Sequence, residues 1–254
     1  MAFRPSQAHK RTVTMGDGRT VTNAAYKPTL HHTHHRVPSA RDIVASTGIS
    51  DESIHLLPTA KKMELASAKR YADILYRDKD AQVRIAVADA GYHLDDLVRD
   101  SRPEVRAVVA RHPHYHMALA DDSSAEVAKV IAQATDDARL IARYVHSPFT
   151  SVRSEVAKRW DQYHDELSHD SSPLVVAEVA NNTMDDTIIE RLSRHPNAHV
   201  RYAVASGYHP PRHMVNDEDS SVRVNLALHG WYIDQLSKDQ SPAVRAAVKI
   251  FKKG

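Results

Sequence analysis

The chain has 254 residues, of which 42% are hydrophobic, and its 34 Lys and Arg against 32 Asp and Glu give a formal net charge of +2. It contains no cysteine, which excludes disulfides, thiolate metal ligands and thiol nucleophiles and suits a cytoplasmic protein. No stretch predicts a membrane span or a secretory signal peptide, and only seven glycines in a chain rich in Ala and Val favour a folded helical protein.

The N-terminal residues 1–36 differ from the rest and predict a separate basic head. The segment RTVTMGDGRTVT alternates threonine with apolar residues around Gly16-Asp17-Gly18, which predicts a small β-hairpin. A lone hairpin is marginal in water, so we expect it to pack on the following residues or to be partly mobile. Residues 1–70 hold 11 Lys and Arg against 5 Asp and Glu. This excess favours an acidic partner or an acidic surface of the same chain.

A histidine cluster, His31-His32-Thr33-His34-His35, lies near the end of this head. Histidines three or four residues apart on a helix suit zinc or nickel. However, Pro28 and Pro38 leave little room for a helix, and carboxylates are scarce nearby. We therefore predict a solvated tract and no metal site.

Residues 43–57, IVASTGISDESIHLL, have two interpretations. With Gly48 in a turn, they resemble a helix-turn-helix whose second helix would enter the DNA major groove. The same apolar spacing also matches a degenerate first copy of the repeat that follows. We favour the repeat.

From near residue 40 to the C-terminus, a unit of ~22 to ~25 residues recurs, with DKDAQVRIAVA and DSRPEVRAVVA among its clear copies. Each unit has a valine, here called the anchor, followed by an aliphatic residue four positions later and, in seven of eight units, an alanine at the fifth. These positions share one face of a helix. Another large apolar residue, eight positions before the anchor, belongs to a second, shorter helical element. The anchors, which also name the units, are Val83, Val105, Val127, Val152, Val175, Val200, Val222 and Val244.

Such a unit cannot bury its apolar face alone, so its repetition predicts a stacked array. Worn copies around Val44 and Leu65 bring the total to about ten units over residues 37–254. The residue three positions before most anchors is a typical helix N-cap, and proline often follows at the first helical position. The predicted N-caps are Asp80, Ser124, Ser172, Asn197, Asp219 and Ser241.

The unit resembles the leucine-rich repeat variant, a short relative of HEAT-like helical repeats. DSRPEVRAVVARHPHYHMALADD and RHPNAHVRYAVASGYHPPRHM carry the resemblance, which spans roughly residues 40–250. It implies an all-α, right-handed solenoid in which α-helices alternate with 3₁₀ or short α-helices. The founding member of that family carries an iron–sulfur cluster, which needs cysteines, so we expect no cofactor here. The turn departs from the family pattern, with His-Pro at His112 and His195.

An arginine follows most anchors, and an aspartate stands five residues before most of them. Stacked guanidiniums near stacked carboxylates predict ion pairs between units, because aspartates would cancel a basic stripe suited to a phosphate backbone. The arginines are Arg84, Arg106, Arg153, Arg201, Arg223 and Arg245. The aspartates are Asp78, Asp100, Asp122, Asp170, Asp217 and Asp239.

Aromatic and histidine pairs recur between the two helical elements of several units. If they line one edge of the solenoid, they offer anchors for a partner or stacking platforms for unpaired bases. The alternative is that the rings cover the joint between the two helices of each unit. We take these pairs as the candidate partner-binding site. They are Tyr92-His93, Tyr115-His116, Tyr163-His164, Tyr208-His209 and Trp231-Tyr232.

The sequence has no nucleophile motif, no glycine-rich phosphate loop and no good metal spacing, so we predict no catalytic residue. The leading hypothesis is a non-enzymatic scaffold whose solenoid surface docks a protein partner. One alternative is nucleic-acid binding through the head, and another is base excision by a HEAT-like DNA glycosylase, which a mildly acidic body disfavours. The basic residues of the head are Arg4, Lys10, Arg11, Arg19, Lys27 and Arg36.

Overall fold

The computed structural model describes residues 12–14, 20–22 and 50–253. The chain divides into two compact units, Met1–Ile49 and Ser50–Gly254. The histidine cluster, most of the helix-turn-helix-like segment and the predicted boundary at residues 36 and 37 lie outside the described residues.

In the N-terminal unit, two short strands pair antiparallel: β1 (Thr12–Thr14) and β2 (Thr20–Thr22). Val13 lies opposite Val21 in this register. The strands coincide with the two threonine-rich arms of the predicted hairpin, while the glycine-containing turn between them lies outside the described residues.

The second unit contains the helical repeats. Each of the eight anchors lies in a long α-helix that begins two residues before it, and a ninth long helix, α2, precedes them in residues 50–253. Consecutive long helices pack against one another. They are α2 (Thr59–Ser67), α4 (Ala81–Asp89), α6 (Pro103–Val109), α7 (Ala125–Ala134), α9 (Thr150–Arg159), α11 (Pro173–Asn182), α13 (Ala198–Ser206), α14 (Ser220–Leu228) and α16 (Pro242–Phe251).

A shorter helical element connects each long helix to the next and packs against it. A similar short helix, α1 (Asp51–Ile54), precedes α2. The connecting elements are α3 (Ala72–Leu75), α5 (Leu94–Leu97), the 3₁₀ helix η1 (Pro113–Tyr115), α8 (Ala138–Tyr144), η2 (Asp161–Tyr163) with α10 (His164–Leu167), α12 (Asp186–Leu192), η3 (Arg212–Asn216) and α15 (Ile233–Leu236).

The core consists of the apolar positions that the repeat predicts. All eight anchors are fully buried, and the aliphatic residues four positions later and the alanines five positions later are buried as well. The large apolar residue of each connecting element, such as Leu75 or Met214, is also buried. The alanines let neighbouring helices approach closely, so the array is held by burial repeated from unit to unit.

The helix starts are where the sequence predicts them, but their capping bonds differ. Asp80, Asn197 and Asp219 accept the N–H of the residue two positions later through their side chains. The predicted caps Ser124, Ser172 and Ser241 make no side-chain capping bond. Their own N–H groups bond to the aspartate two residues before them, as those of Asp80 and Asp219 also do. At the three serines that aspartate also pairs with an arginine, so one carboxylate satisfies both groups.

The units that begin at Val127 and Val175 differ from the others. The interval to the next anchor is longer after these two valines than after any other anchor. Their connecting helices α8 and α12 have seven residues each, whereas the other connecting α-helices in residues 50–253 have four. In both units the residue that ends the long helix is a buried threonine, Thr135 or Thr183, with an extended backbone. Its hydroxyl accepts a hydrogen bond from the N–H of the aspartate that caps the next helix. The enlarged spacing thus reflects a second type of unit.

Across residues 50–253, no helix combines the length and the apolar character that crossing a membrane requires.

Candidate functional site

Ion pairs link consecutive units into a ladder. In the Val105 unit, Nε of Arg106 donates to Asp122 of the next unit at 2.6 Å and Nη2 donates to the same carboxylate at 2.9 Å. Nη1 donates to the backbone carbonyl of Asp100 in its own unit at 2.7 Å. The predicted inter-unit ion pairs are therefore confirmed. Each arginine–aspartate pair between two units is here called a full rung of the ladder. The five full rungs are Arg84–Asp100, Arg106–Asp122, Arg153–Asp170, Arg201–Asp217 and Arg223–Asp239.

Two rungs lack both members of the ion pair. After the anchor Val127, Ala128 occupies the arginine position, and Ser147 occupies the position of the aspartate partner. After the anchor Val175, Val176 occupies the arginine position, and His195 occupies the aspartate position. Both replacements still accept the N–H two residues later, through Ser147 Oγ at 3.3 Å and His195 Nδ1 at 3.0 Å. The arginine and the aspartate are thus lost together, and neither break leaves a charge buried without its counter-ion.

A sixth ion pair, between Lys62 and Asp78, extends the ladder towards the N-terminus at 2.8 Å. This pair was not predicted, because the α2 copy has no V-R pair. The spacing would nevertheless have predicted it, since Lys62 precedes Asp78 by the same number of residues by which Arg84 precedes Asp100.

Four ladder carboxylates, Asp100, Asp122, Asp170 and Asp239, are held in their charged form. Burial alone would raise the pKa of Asp100, but hydrogen bonds from Arg84 and from the backbone outweigh it and keep that pKa below its usual value. At Asp239 the bond from Arg223 is the main cause of a lowered pKa. The guanidiniums of the full rungs already direct their donors to protein oxygens. They are therefore structural and present no free edge to a phosphate backbone.

Two members of the predicted aromatic–histidine edge belong to the core. His116 and His164 are buried, and Nε2 of each lies within 3.0 Å of the carbonyl oxygen of the alanine five residues after the anchor, Ala110 or Ala157. Since a carbonyl only accepts, each imidazole donates its Nε2–H to the end of the long helix. Burial lowers the pKa of His116. The prediction that these two histidines line an exposed binding edge is wrong; they cover the joint between helices.

The first two tyrosines of the predicted edge are half-buried and engaged. Lys69 Nζ lies 5.9 Å from the ring centroid of Tyr92. The Tyr115 hydroxyl donates to Asp95 at 2.8 Å, and burial followed by this bond raises the pKa of Tyr115 to about 12.

The neighbouring His93 is also committed to the array. Its ring stacks on Tyr76 at 4.0 Å, and its nitrogens contact Asp73 and Asp96. His93 has a φ of 52°, in the left-handed region, and forms the N-cap of α5. Tyr163 is half-buried. These side chains help to shape the turns and offer little free surface.

The C-terminal pairs form a group of neighbouring rings, here called the aromatic cluster: Tyr208, His209, Trp231 and Tyr232. Tyr208 and His209 are exposed, whereas Trp231 and Tyr232 are half-buried. The Tyr208 and His209 rings meet edge to face at 4.2 Å, and His209 lies 6.1 Å from Trp231. Tyr208 is 61% exposed. Tyr232 is anchored, because its hydroxyl donates to the carbonyl of Pro210 at 2.5 Å. Here the structure brings predicted site residues together on the surface.

Clefts open between consecutive units on the ladder side. The C-terminal cleft, between the Val222 and Val244 units, has a volume of about 640 Å³, and those after the Val127 and Val152 anchors have about 340 and 360 Å³. All three clefts are lined by the same repeat positions. These are the residues just before one anchor, the residue directly after that anchor, and the residues just before the next anchor. The sequence analysis did not identify these clefts.

Within the described part of the chain, no group of three or more His, Asp or Glu side chains is placed to hold a metal ion. The basic head residues, Arg4 through Arg36, lie outside the described residues, so their role remains a prediction.

Comparison with known proteins identifies the fold. Neither a protein-family model nor a curated protein matches this chain. A solved structure, described as a leucine-rich repeat variant with a novel repetitive protein structural motif, is similar to it with a TM-score of 0.61 and 22% sequence identity. The match covers 85% of this chain and 97% of the other. The chain thus has the leucine-rich-repeat-variant type of helical repeat fold, as the resemblance of its units implied.

Proposed function

We propose that this helical repeat protein is a non-enzymatic scaffold that docks a protein partner on its aromatic cluster. The observation that carries the proposal is the exposure of Tyr208 beside His209 and Trp231. Tyrosine and tryptophan are enriched among the residues that dominate interface energy, since they bury much area at little entropic cost. A group of neighbouring rings of which two are exposed is suited to that role.

Two further exposed apolar side chains lie at or just after the ends of long helices in this part of the chain. Met184, after α11, is 77% exposed, and Leu228, at the end of α14, is 43% exposed. Both occur near the C-terminal ends of long helices, as Tyr208 and Trp231 do. Because those helices pack side by side, their ends adjoin. Contiguous exposed apolar area is a mark of interaction sites.

The remaining parts of this proposal concern architecture and location. We propose a right-handed solenoid of about ten units, of which the first uses residues before position 50, with a small hairpin in the head. A cytoplasmic location agrees with the absence of cysteine.

Replacing Tyr208 with alanine should weaken partner binding at least about tenfold, on the order of 1.4 kcal/mol, because the most exposed ring of the cluster is lost. The measurement is calorimetric titration with a partner purified after affinity capture from cells of the source organism. Tyr202→Ala is the matched control, since Tyr202 is a partly exposed tyrosine on α13 outside the cluster. A partner that binds the Tyr208 variant as tightly as the unmodified protein contradicts the proposal. Circular dichroism checks that helical content is unchanged.

Nucleic-acid binding through the head is the second candidate, because residues 1–49 contain seven Lys and Arg but only Asp17 and Asp42 as acids. We expect binding to labelled DNA or RNA, if the head is responsible, to fall steeply with salt as counterions are released. Fluorescence anisotropy should show that deletion of residues 1–36 abolishes it. Binding that survives the deletion, or none at low salt, rejects this candidate.

A further inference from the structure

The three equivalent clefts differ in how their rims are closed. Across the Val127–Val152 cleft, Asp121 forms an ion pair with Arg143. Across the Val152–Val175 cleft, Nδ1 of His146 lies 3.3 Å from Glu166. In each case the residue six positions before one anchor meets the residue nine positions before the next. The two smaller clefts are therefore bridged at their rims, one by an ion pair and the other by a contact between an imidazole and a carboxylate.

The C-terminal cleft has no such bridge. Its residues at the same two positions are the amides Asn216 and Gln235, which carry no charge. This cleft is also the largest of the three, at about 640 Å³. The absence of a rim ion pair thus accompanies a wider opening between the Val222 and Val244 units.

Two cations line the same cleft without a carboxylate partner in the described part of the chain: Arg212 at the start of η3 and Lys238 just after α15. Both are exposed. When the Gln235 amide is oriented so that both its groups have partners, its oxygen accepts from Arg212 Nη2 at 2.6 Å and its nitrogen donates to the Tyr232 carbonyl at 3.3 Å. Gln235 thereby orients the guanidinium.

The carboxylates that line this cleft bond to arginines. Asp239 accepts two hydrogen bonds from Arg223, and Asp217 accepts two from Arg201. Glu218 shares Arg201 with Asp217, at 3.0 Å. Because three carboxylates have two arginines between them, the unpaired Arg212 and Lys238 bring the net charge of this group of side chains to +1.

We propose that the C-terminal cleft binds carboxylate side chains of an acidic segment in the protein partner, an inference that rests on the proposed docking function. Arg212 offers a planar pair of N–H donors that matches a carboxylate, Lys238 supplies a second charge, and Asn216 and Gln240 add neutral donors. Singly charged carboxylates suit this site better than phosphate dianions, because Glu218 and Asp217 stand nearby.

The test is a titration of the isotope-labelled full chain with acetyl-tetraglutamate amide, followed by amide chemical shifts in nuclear magnetic resonance spectra. We expect saturable shifts over residues 212–218 and 235–240, with a Kd on the order of 1 mM. Acetyl-tetraglutamine amide, which has the same length without the charge, should give none. Arg212→Gln with Lys238→Gln should weaken binding at least about tenfold.

The matched control is Arg99→Gln with Lys249→Gln, which removes the same charge from exposed residues outside the cleft. We expect less than a twofold change for this pair. No saturable shift in the cleft, or equal loss in both double variants, overturns the proposal. Displacement of the peptide by a much lower concentration of inorganic phosphate also overturns it and assigns the cleft to phosphate.

The proposed docking function fails or survives independently of this test. Tyr208→Ala should leave tetraglutamate binding unchanged, because Tyr208 does not line the cleft. If the partner requires Tyr208 but binds the Arg212 and Lys238 double variant normally, the docking function stands and the carboxylate site is rejected.

Discussion

Replacement of Arg223 with alanine is expected to lower the free energy of unfolding by about 3–5 kcal/mol, because it breaks a buried ion pair by removing one partner. The side chains of Arg223 and Asp239 are both only 7% exposed. The variant leaves Asp239 buried without its counter-ion and removes the Nη1 donor from the Asp217 carbonyl. Urea denaturation followed by circular dichroism gives the change. A loss below about 1 kcal/mol, typical of an exposed pair, would contradict the structural role of the ladder.

The chain supplies its own control for this experiment. At one of the two positions where the ladder lacks an ion pair, Val176 occupies the arginine position and His195 occupies the aspartate position. Introducing the same exchange as Arg223→Val with Asp239→His removes both charges and keeps an acceptor for the next helix start. We expect this double variant to recover most of the stability lost in Arg223→Ala.

Acidification is expected to unfold the array between about pH 4 and about pH 2. The ladder and capping aspartates have pKa values below the usual 3.8, so the unfolded chain binds more protons than the folded one in this range. The stability that they contribute is present above the unfolded pKa and is lost as the pH falls through the folded values. These residues are Asp80, Asp100, Asp122, Asp137, Asp170, Asp185, Asp219 and Asp239.

Circular dichroism during a pH titration, with urea denaturation at each pH, measures this loss. The pKa of Asp137, lowered to about 2 chiefly by hydrogen bonds from Arg139, sets the acid end of the window. The Arg223→Val and Asp239→His double variant lacks one ladder carboxylate, so its stability should depend less steeply on pH below about 4. Helical content and stability that stay constant down to about pH 2 would show that these carboxylates do not hold the units together.

The charged residues fall into two groups, those of the ladder and those of the proposed binding surfaces. Arginines that follow an anchor use their donors within the array, whereas Arg212 and Lys238 belong to connecting elements and have no carboxylate partner within residues 50–253. A rigid stack with a few unpaired groups at its C-terminal units is suited to recognition, because little ordering entropy is lost when a partner docks.

The repeat pattern determined the helices and the core of residues 50–253. Helix starts depend on residues within a few positions, such as the proline of Pro103 and the cap of Asp219, and the anchor spacing places one face inwards whatever surrounds it. The arginine and aspartate columns also predicted the ladder, since the interval between the two members of a rung is set by the repeat itself.

Only the tertiary structure decided which individual side chains are exposed to a partner and which are engaged within the array. The pairs Tyr115-His116 and Tyr208-His209 are alike in sequence, yet His116 bonds to a buried carbonyl while Tyr208 is exposed. The difference arises because each turn is shaped by its own connecting element and by neighbours from adjacent units, a whole repeat away along the chain. The open rim of the C-terminal cleft has the same origin, because it depends on which two side chains from successive units face each other.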